Sequence, residues 1–319
     1  MRDTELKAWL DCVDHLNPEQ RQQLRRRLDA ATSLDEVDGA LQRLRDKHPQ
    51  CPRCQSLRVV RNGHADGRQR YKCRACTRSF NALTCTPLAR LRHRDRWLAQ
   101  TDVLVSGLSA RQAAQQLRVH RTTAFRWRHR FLTLPQAVKA GGLQGVAEAD
   151  ETYELRSFKG QRQLLAQQSR KARHRGGHAA KRGLSDEQVP VLVLRDRSGA
   201  TTDFVLPCAT KAAVKQVLPQ ALAADAVLCT DGSGTLAAAA RELGIEHQAL
   251  NLSKGERRRG AWHIQNVNAY HSRFKTWMRR FNGVATSNLQ NYLGWFRALD
   301  RNAQTGAKSA SFLDLARGV

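Results

Sequence analysis

The sequence contains few acidic residues for its length. Its 319 residues include 28 Asp and Glu but 54 Lys and Arg, so the formal net charge is +26. Ordinary metabolic enzymes have more balanced surfaces, and this class of protein is therefore disfavoured. The excess of positive charge instead predicts a polyanionic partner.

Long apolar segments are also missing. No apolar run approaches the roughly 20 residues that a membrane-spanning helix needs, and the first ten residues, MRDTELKAWL, lack the basic and then apolar pattern of a signal peptide. We therefore expect a soluble, cytoplasmic protein whose partner is nucleic acid and not a membrane. In that reducing compartment, close pairs among the eight cysteines indicate metal ligands more than disulfides.

Aromatic residues make up only 6% of the chain, yet hydrophobic residues reach 41%, which is enough for buried cores. The length predicts two or three domains. Residues 1–48 have helical spacing that is interrupted at Asn17-Pro18 and near Thr32-Ser33, so we predict an N-terminal segment of three short helices. Two roles stay open for this segment: a docking or dimerisation element, or a cap on the next module.

Two CxxC pairs follow in residues 49–82. The 18 residues between the pairs are the spacing expected of a four-cysteine zinc site. We therefore predict a zinc ribbon, in which a structural Zn²⁺ supplies most of the stability of a small module. The alternative of redox-active pairs lacks a surrounding βαβ pattern. The predicted zinc ligands are Cys51, Cys54, Cys73 and Cys76.

Residues 83–135 have the pattern of a helix-turn-helix domain. Ser109 can cap a first helix, a short turn follows near residues 118–120, and the second helix is strongly basic. Helix pairs are common, but the basic second helix favours DNA binding. The predicted DNA contacts are His120, Arg121, Thr122, Thr123, Arg126 and Arg128.

From residue 143 to residue 300 the pattern changes to strands that alternate with helices. We predict the order βββαβαβα, which is that of a ribonuclease H-like catalytic domain. The whole chain is thus expected to be a mixed, multi-domain α/β protein. Residues 301–319 form a predicted C-terminal tail.

A basic insertion, residues 156–183, interrupts this domain with nine Lys or Arg and no Asp or Glu. We expect a mobile loop that gives DNA a path to the acidic residues of the strand directly before it. A charge run can also be merely solvated, and this alternative stays open. The candidate DNA contacts of the insertion are Arg170, Lys171, Arg173 and Arg175.

Two aspartates stand at the ends of predicted apolar strands that neighbour each other in this fold. Asp150 ends the first strand and Asp231 ends the fourth. Paired carboxylates bind Mg²⁺ or Mn²⁺, and two such ions can support phosphoryl transfer. Each aspartate also has a simpler interpretation, because Asp231-Gly232 is a common turn pair and Asp150 could cap the segment that follows.

The last long predicted helix, residues 262–281, repeats two patterns at one interval. Val267 and Phe274 lie seven residues apart, and so do Asn268 and Lys275. Seven residues fall about 20° short of two full helical turns, so the amide and the amine share a face beside the apolar seam. On periodicity alone, ordinary surface positions are the favoured interpretation of both polar residues.

Three segments, ADETYELRSFKG, VLCTDGSG and HIQNVNAYHSRFKTWMRRFNGVATSNLQNYLGWFRAL, resemble bacterial insertion-sequence transposases. The branch concerned joins an N-terminal zinc ribbon to a DDE-type domain, and the likeness covers about residues 45–300. The resemblance implies that the catalytic residues are Asp150, Asp231, Asn268 and Lys275. The first three of these would be the Mg²⁺ ligands.

The same resemblance implies a DNA transposase that binds terminal inverted repeats and catalyses metal-dependent cleavage and strand transfer. It further implies two Mg²⁺ or Mn²⁺ ions, a double-stranded DNA partner, a homodimer or larger assembly on DNA, and a nucleoid-associated protein of bacteria. Asn268 stands where a stricter pattern has Glu, and Glu151 and His271 are candidates to assist it. Two alternatives stay open: a DNA-binding regulator that has lost catalysis, and a ribonuclease H-like nuclease that cuts without joining.

Overall fold

The computed structural model describes residues 2–161, 163–164, 179, 185–251 and 254–305. The chain divides into two compact units, one of Met1–Phe131 with Ser309–Val319 and the other of Leu132–Lys308. The predicted N-terminal segment, the zinc ribbon and most of the helix-turn-helix fall in the first unit. No helix among the described residues is both long and apolar enough to cross a membrane.

Two helices form the N-terminal segment, α1 (Asp3–Val13) and α2 (Pro18–Lys47). The predicted break between them is confirmed. Asn17 accepts a hydrogen bond from the Gln20 N–H (2.9 Å) and so caps α2, with Pro18 in its first turn.

The second predicted break, near Thr32, is wrong, and α2 continues through this position for a total of 30 residues. The Thr32 hydroxyl donates to the Leu28 carbonyl oxygen (3.0 Å), so its hydrogen bond is made inside the helix. Burial of α2 begins only at Val37. Towards the end of the helix, the Arg45 guanidinium lies 4.8 Å from the centre of the Tyr71 ring, so this end packs on the next module.

Among the described residues of the first unit, a small sheet and then three α-helices follow α2. The antiparallel strands are β1 (Val59–Ala65), β2 (Arg68–Cys73) and β3 (Ser79–Phe80), in that order across the sheet. The helices are α3 (Trp97–Val105), α4 (Ala110–Leu117) and α5 (Arg121–Ala137), the last of which extends beyond Phe131. Their shared core consists of Val103, Ala113, Leu117, Ala124 and Trp127.

A five-stranded mixed sheet lies at the centre of the second unit. Its strands are β4 (Val146–Leu155), β5 (Gln188–Asp196), β6 (Thr201–Val205), β7 (Val227–Thr230) and β8 (His247–Ala249). They are arranged in the order β6-β5-β4-β7-β8. β5 is antiparallel to both β4 and β6, whereas β4, β7 and β8 run parallel.

Helices cover both faces of this sheet. They are α6 (Lys211–Ala221), α7 (Gly234–Leu243), α8 (Gln265–Arg279) and α9 (Leu289–Thr305). Ala147 and Ala149 of β4 point to one face of the sheet, where they belong to a core with α6 and α7. Helix α8 packs on the opposite face, where it contacts Glu148 and Asp150 of β4. Among the described residues, β4 to α8 follow one another in the predicted order βββαβαβα, and α9 comes after them.

Helix α9 packs closely on two other elements of the second unit. Trp295 meets Trp277 of α8 edge-on, with ring centroids 4.9 Å apart. At Gly294, an added Cβ would lie only 2.5 Å from the Gln136 Cα at the end of α5. A side chain therefore has no room at this helix crossing.

Candidate functional site

The four predicted zinc ligands converge in the first unit. Their sulfur atoms all lie within 4.8 Å of one another, with Cys51 Sγ 3.8 Å from Cys76 Sγ and Cys54 Sγ 3.6 Å from Cys73 Sγ. Four thiolates about 2.3 Å from a tetrahedral Zn²⁺ stand roughly 3.8 Å apart, so this cluster could bind zinc. The predicted pairing of the two CxxC motifs around one point is therefore confirmed.

Each CxxC pair folds in the same way, which explains why the sulfurs meet. The Cys51 N–H donates to the Ser56 carbonyl oxygen (2.9 Å) and the Cys73 N–H to that of Arg78 (3.0 Å), five residues further on in both cases. The residue after each pair has a left-handed backbone, with φ of 60° and 59°. The Cys76 N–H also donates to Cys73 Sγ and lowers the pKa of that thiol to about 6. Burial and the neighbouring sulfur atoms raise the pKa of the Cys54 thiol to about 11, so in this cluster the proton is held by Cys54 and not by Cys73.

The helix pair α4 and α5 begins as the sequence predicts. The Ser109 hydroxyl accepts the Gln112 N–H (3.4 Å), and Gln112 Oε1 accepts the Ser109 N–H (3.0 Å), so the two residues cap α4 reciprocally. Arg118 ends the helix with a left-handed φ of 51°. His120 then precedes α5, where its Nδ1 accepts the Thr122 N–H (3.3 Å).

Five of the six predicted DNA contacts in this helix pair reach its surface. The exposed or half-buried residues are His120, Arg121, Thr122, Thr123 and Arg126. Arg128 requires a correction, because it is only 2% exposed and its guanidinium donates to the Leu108 carbonyl oxygen (2.6 Å). It follows the core residue Trp127 on α5 and holds the turn before α4 instead of facing a groove. The four contacts predicted in the basic insertion, Arg170, Lys171, Arg173 and Arg175, lie outside the described residues.

The two predicted catalytic aspartates are carried by neighbouring parallel strands, Asp150 within β4 and Asp231 directly after β7. Glu148 pairs with Cys229, so Asp150 and Asp231, each two residues further on, fall at the same level. The prediction that Asp150 stands at a strand end is wrong. It lies in the middle of β4, because β4 continues to pair with β5 after β7 has ended. Asp231 directly follows β7, and its Oδ1 accepts the Ser233 N–H (3.0 Å).

A third carboxylate, Glu151, lies near this pair. Burial, and then the charges of Asp150 and Asp231, raise the pKa of Glu151 to about 7. Burial and the same carboxylates also raise the pKa of Tyr153. Among the described residues these acids are not gathered as tightly as the four cysteines. The site nevertheless concentrates negative charge of the kind that a divalent cation neutralises.

Helix α8 carries three further polar residues, two of which interact with side chains of β4. Asn268 and Lys275 are exposed, and His271 between them is buried with its Nδ1 3.4 Å from Asp150 Oδ2. Burial raises the pKa of Glu154 on β4 to about 7, and the charge of Lys275 opposes this shift. The structure thus sets His271 against Asp150 and Lys275 near Glu154.

Glu148 is an anchoring residue that the sequence pattern did not single out. Its side chain is fully buried, and its Oε2 accepts the N–H of Val267 in the first turn of α8 (2.8 Å). Its Oε1 is paired with Arg197 and lies 3.3 Å from His263 Nδ1. A carboxylate inside an otherwise apolar stretch of β4 is the signal that could have identified it. Glu148 therefore connects the strand of Asp150 to the helix of Asn268.

Comparison with known proteins finds similarity over two regions of the chain. Residues 142–297 match the ISXO2-like transposase domain, and residues 90–147 match the homeodomain-like domain. The chain is also 28% identical over 253 residues to a Halobacterium salinarum protein described as an uncharacterized protein in transposable element ISH50, an alignment that covers 77% of the chain and 83% of the relative. These similarities to a transposase domain and to a protein of a transposable element support the insertion-sequence transposases as the family that the chain resembles.

Proposed function

We propose that the protein is a DNA transposase of an insertion sequence, which binds terminal inverted repeats and catalyses metal-dependent cleavage and strand transfer. The observation that carries this proposal is the placement of Asp150 in β4 and of Asp231 directly after the neighbouring parallel strand β7, in a region that matches a transposase domain. A ribonuclease H-like arrangement is part of the proposal. The element order βββαβαβα and the strand order β6-β5-β4-β7-β8 support it.

The proposed catalytic set is Asp150, Asp231, Asn268 and Lys275. Carboxylate and amide oxygens are donors suited to Mg²⁺ or Mn²⁺, and the repulsion felt by Glu151 favours a bound cation. Two such ions, when bound, activate the attacking hydroxyl and stabilise the leaving oxygen. Lys275 contributes a positive charge that can contact a DNA phosphate.

Neighbouring residues would orient this set. In-line phosphoryl transfer depends on placing the reacting groups within a narrow range of geometry. His271 lies against one oxygen of Asp150, and Glu148 holds the first turn of α8. Both contacts therefore support a defined position of the helix relative to the catalytic strand.

We further propose that the cysteine cluster holds a structural Zn²⁺ and that the zinc ribbon and helix-turn-helix recognise the inverted repeats. The exposed basic residues of α5 and the net charge of +26 support a DNA partner. The basic insertion, with Arg170, Lys171, Arg173 and Arg175, is proposed as a further DNA contact. Because two ends must be processed together, we propose a homodimer or larger assembly on DNA.

The proposal is tested by placing the DNA that flanks the gene on both sides of a resistance marker and supplying the protein in trans. Wild-type protein should join the marker to new sites bounded by short target duplications, and Asp231→Ala should abolish joining. Asp225→Ala, which changes an exposed aspartate of the same unit, is the matched control and should behave as wild type. Joining by Asp231→Ala at the wild-type rate would show that the catalytic site is misassigned.

A DNA-binding regulator is the second candidate, and one observation favours it. Asn268 offers no formal charge and is exposed on α8, so the metal site has a weaker third position. Specific binding of the flanking DNA without cleavage, together with cleavage by Asn268→Glu, would support the regulator. A nuclease would instead cut labelled ends and leave no joined product.

A further inference from the structure

The N-terminal helices expose apolar side chains. In the described structure none of α1 is buried, and burial of α2 begins only at Val37. Leu6, Trp9 and Leu10 of α1 are 42%, 66% and 59% exposed, and Leu28 of α2 is 59% exposed. Helices as short as α1 are marginal in water on their own, so these surfaces call for a partner.

Each helix presents its apolar residues as a separate face. On α1 the stripe has the spacing i, i+3, i+4, i+7 and consists of Leu6, Trp9, Leu10 and the half-buried Val13. On α2, Leu24 and Leu28 are four residues apart and share a face. The buried residue Leu41 is rotated by about 100° from Leu24 around the same helix. The face of Leu24 and Leu28 is therefore distinct from the one that α2 buries within its own unit.

The two segments carry opposite net charge. Residues 2–16 contain four acids and two bases, a net charge of −2, whereas residues 18–28 contain four arginines and one glutamate, a net charge of +3. An acidic helix in a chain of +26 is unsuited to DNA. It is complementary to an apolar surface with basic flanks, which is what the first turns of α2 offer.

The connection between the helices keeps these faces apart within one copy. The Arg21 guanidinium donates to the Asp14 carbonyl oxygen (3.0 Å), and the Asn17 cap fixes the start of α2. With the connection held in this way, Trp9 stays largely exposed. A second copy of the chain can provide the apolar surface that α1 does not contact within its own copy.

We propose that α1 of one copy docks on residues 18–28 of a second copy, and that the exchange is mutual, so that the two chains form a dimer. Each copy has one acidic and one basic face, and a two-fold arrangement satisfies both. Trp9 is the anchor of each contact, since a large aromatic side chain dominates interfaces of this kind. This dimer would provide the assembly that the proposed function requires for processing two DNA ends. The inference rests on the proposed function only for that role, and not for the contact itself.

The first test measures the mass of the full-length, nuclease-treated protein by light scattering, in the absence of DNA and divalent metal. The wild-type chain of 35.9 kDa should give a dimer. Trp9→Glu should raise the dissociation constant at least about tenfold, because it places a charge on the apolar contact. Leu57→Glu, at a 73% exposed leucine of the ribbon, is the matched control and should leave the dimer intact. Circular dichroism and zinc content verify that both variants fold.

Charge reversal provides the second test. Asp11→Arg with Asp14→Arg makes α1 basic, and Arg25→Glu with Arg27→Glu makes the docking face acidic. Each double variant alone should be monomeric at concentrations where wild type is dimeric, and an equimolar mixture should restore the dimer. A monomeric wild type, an unaffected Trp9→Glu or a mixture that stays monomeric would overturn the inference. A wild-type dimer that responds to these changes as expected but carries out no strand transfer would reject only the proposed function.

Discussion

At the scale of single residues, the buried carboxylate of Glu148 determines where α8 stands against β4. A charge without exposed surface is costly unless it is paired. Glu148 has three partners, Arg197, His263 and the Val267 N–H. It lies two residues before Asp150 on the same side of β4, so the pairing fixes the helix relative to the strand of Asp150.

Glu148→Gln should destabilise the protein by about 3 kcal/mol, because Arg197 then keeps its charge without the ionised partner. We also expect cleavage to fall about tenfold or more, since small displacements of catalytic groups are costly. Urea unfolding and single-turnover cleavage measure the two effects. Glu246→Gln, at an exposed carboxylate of the same unit, should change neither. Wild-type stability and rate in Glu148→Gln would show that the helix position does not depend on this charge.

Glu154 predicts a pH dependence of stability. Burial raises its pKa to about 7 from 4.5, so the folded state binds more protons than the unfolded state between these values. Stability is therefore lost as the pH rises from about 4.5 to about 7, and the loss is complete above that window. Glu154→Gln should remove a penalty on the order of 2 kcal/mol. Urea titrations should show its advantage over wild type growing from about pH 5 to about pH 8, whereas an advantage that is equal at both pH values would contradict the assignment.

At the scale of elements, the helices and their ends were predicted from signals between residues that are close in the chain. Features that depend on contacts between distant residues were not. Heptad spacing predicted α8, the interruption at Asn17-Pro18 predicted the start of α2, and the Ser109 cap predicted the start of α4, because these signals act within a few residues. The break at Thr32 was wrong because a threonine hydroxyl can bond one turn back inside a helix. Asp150 was placed at a strand end because the pairing that extends β4, with β5, lies more than thirty residues away along the chain. Arg128 was read as a DNA contact because its burial against Leu108 arises only when α5 packs on the preceding helices.

The crossing of α9 with the end of α5 predicts a strong dependence on Gly294. Gly294→Ala should cost about 1–3 kcal/mol, because its Cβ would overlap the Gln136 backbone, which cannot move aside like a flexible side chain. Gly39→Ala in α2 is the matched control, since its Cβ would be 3.6 Å from the Arg43 side chain. This change should stabilise the protein by roughly 0.5–1 kcal/mol through helix propensity. Thermal melts of both variants measure the difference, and equal melting points would argue against the close crossing.

The ribbon predicts that stability and metal content change together. Cys51→Ser should lose bound zinc and lower the melting temperature of the first unit, because a module of this size has little apolar core of its own. Elemental analysis of purified protein and melts with and without a chelator measure this. Cys208→Ser, at an exposed cysteine of the second unit, should keep its zinc. Unchanged metal content in Cys51→Ser would reject the cysteine cluster as a zinc site.

At the scale of the whole molecule, charge is the property that the sequence predicts most directly. The net charge of +26 follows from composition alone and needs no fold. Which of the 54 basic side chains can reach a phosphate, however, depends on burial and on partners. Arg126 and Arg128 show the difference, because they are two residues apart on α5 and only Arg126 is exposed.

The salt dependence of DNA binding tests this distinction. The affinity of wild type should fall about a thousandfold or more between about 50 and about 200 mM salt, as counterions compete for the phosphates. Arg126→Gln should lower the slope of log K against log salt by about 0.9, the amount expected for one lost phosphate contact. Arg128→Gln should leave that slope unchanged and instead lower the melting temperature, because its guanidinium supports the Leu108 carbonyl inside the protein. Fluorescence anisotropy across the salt series, with melts of both variants, separates the two roles, and a slope change in Arg128→Gln equal to that in Arg126→Gln would show that the buried arginine turns outward on DNA.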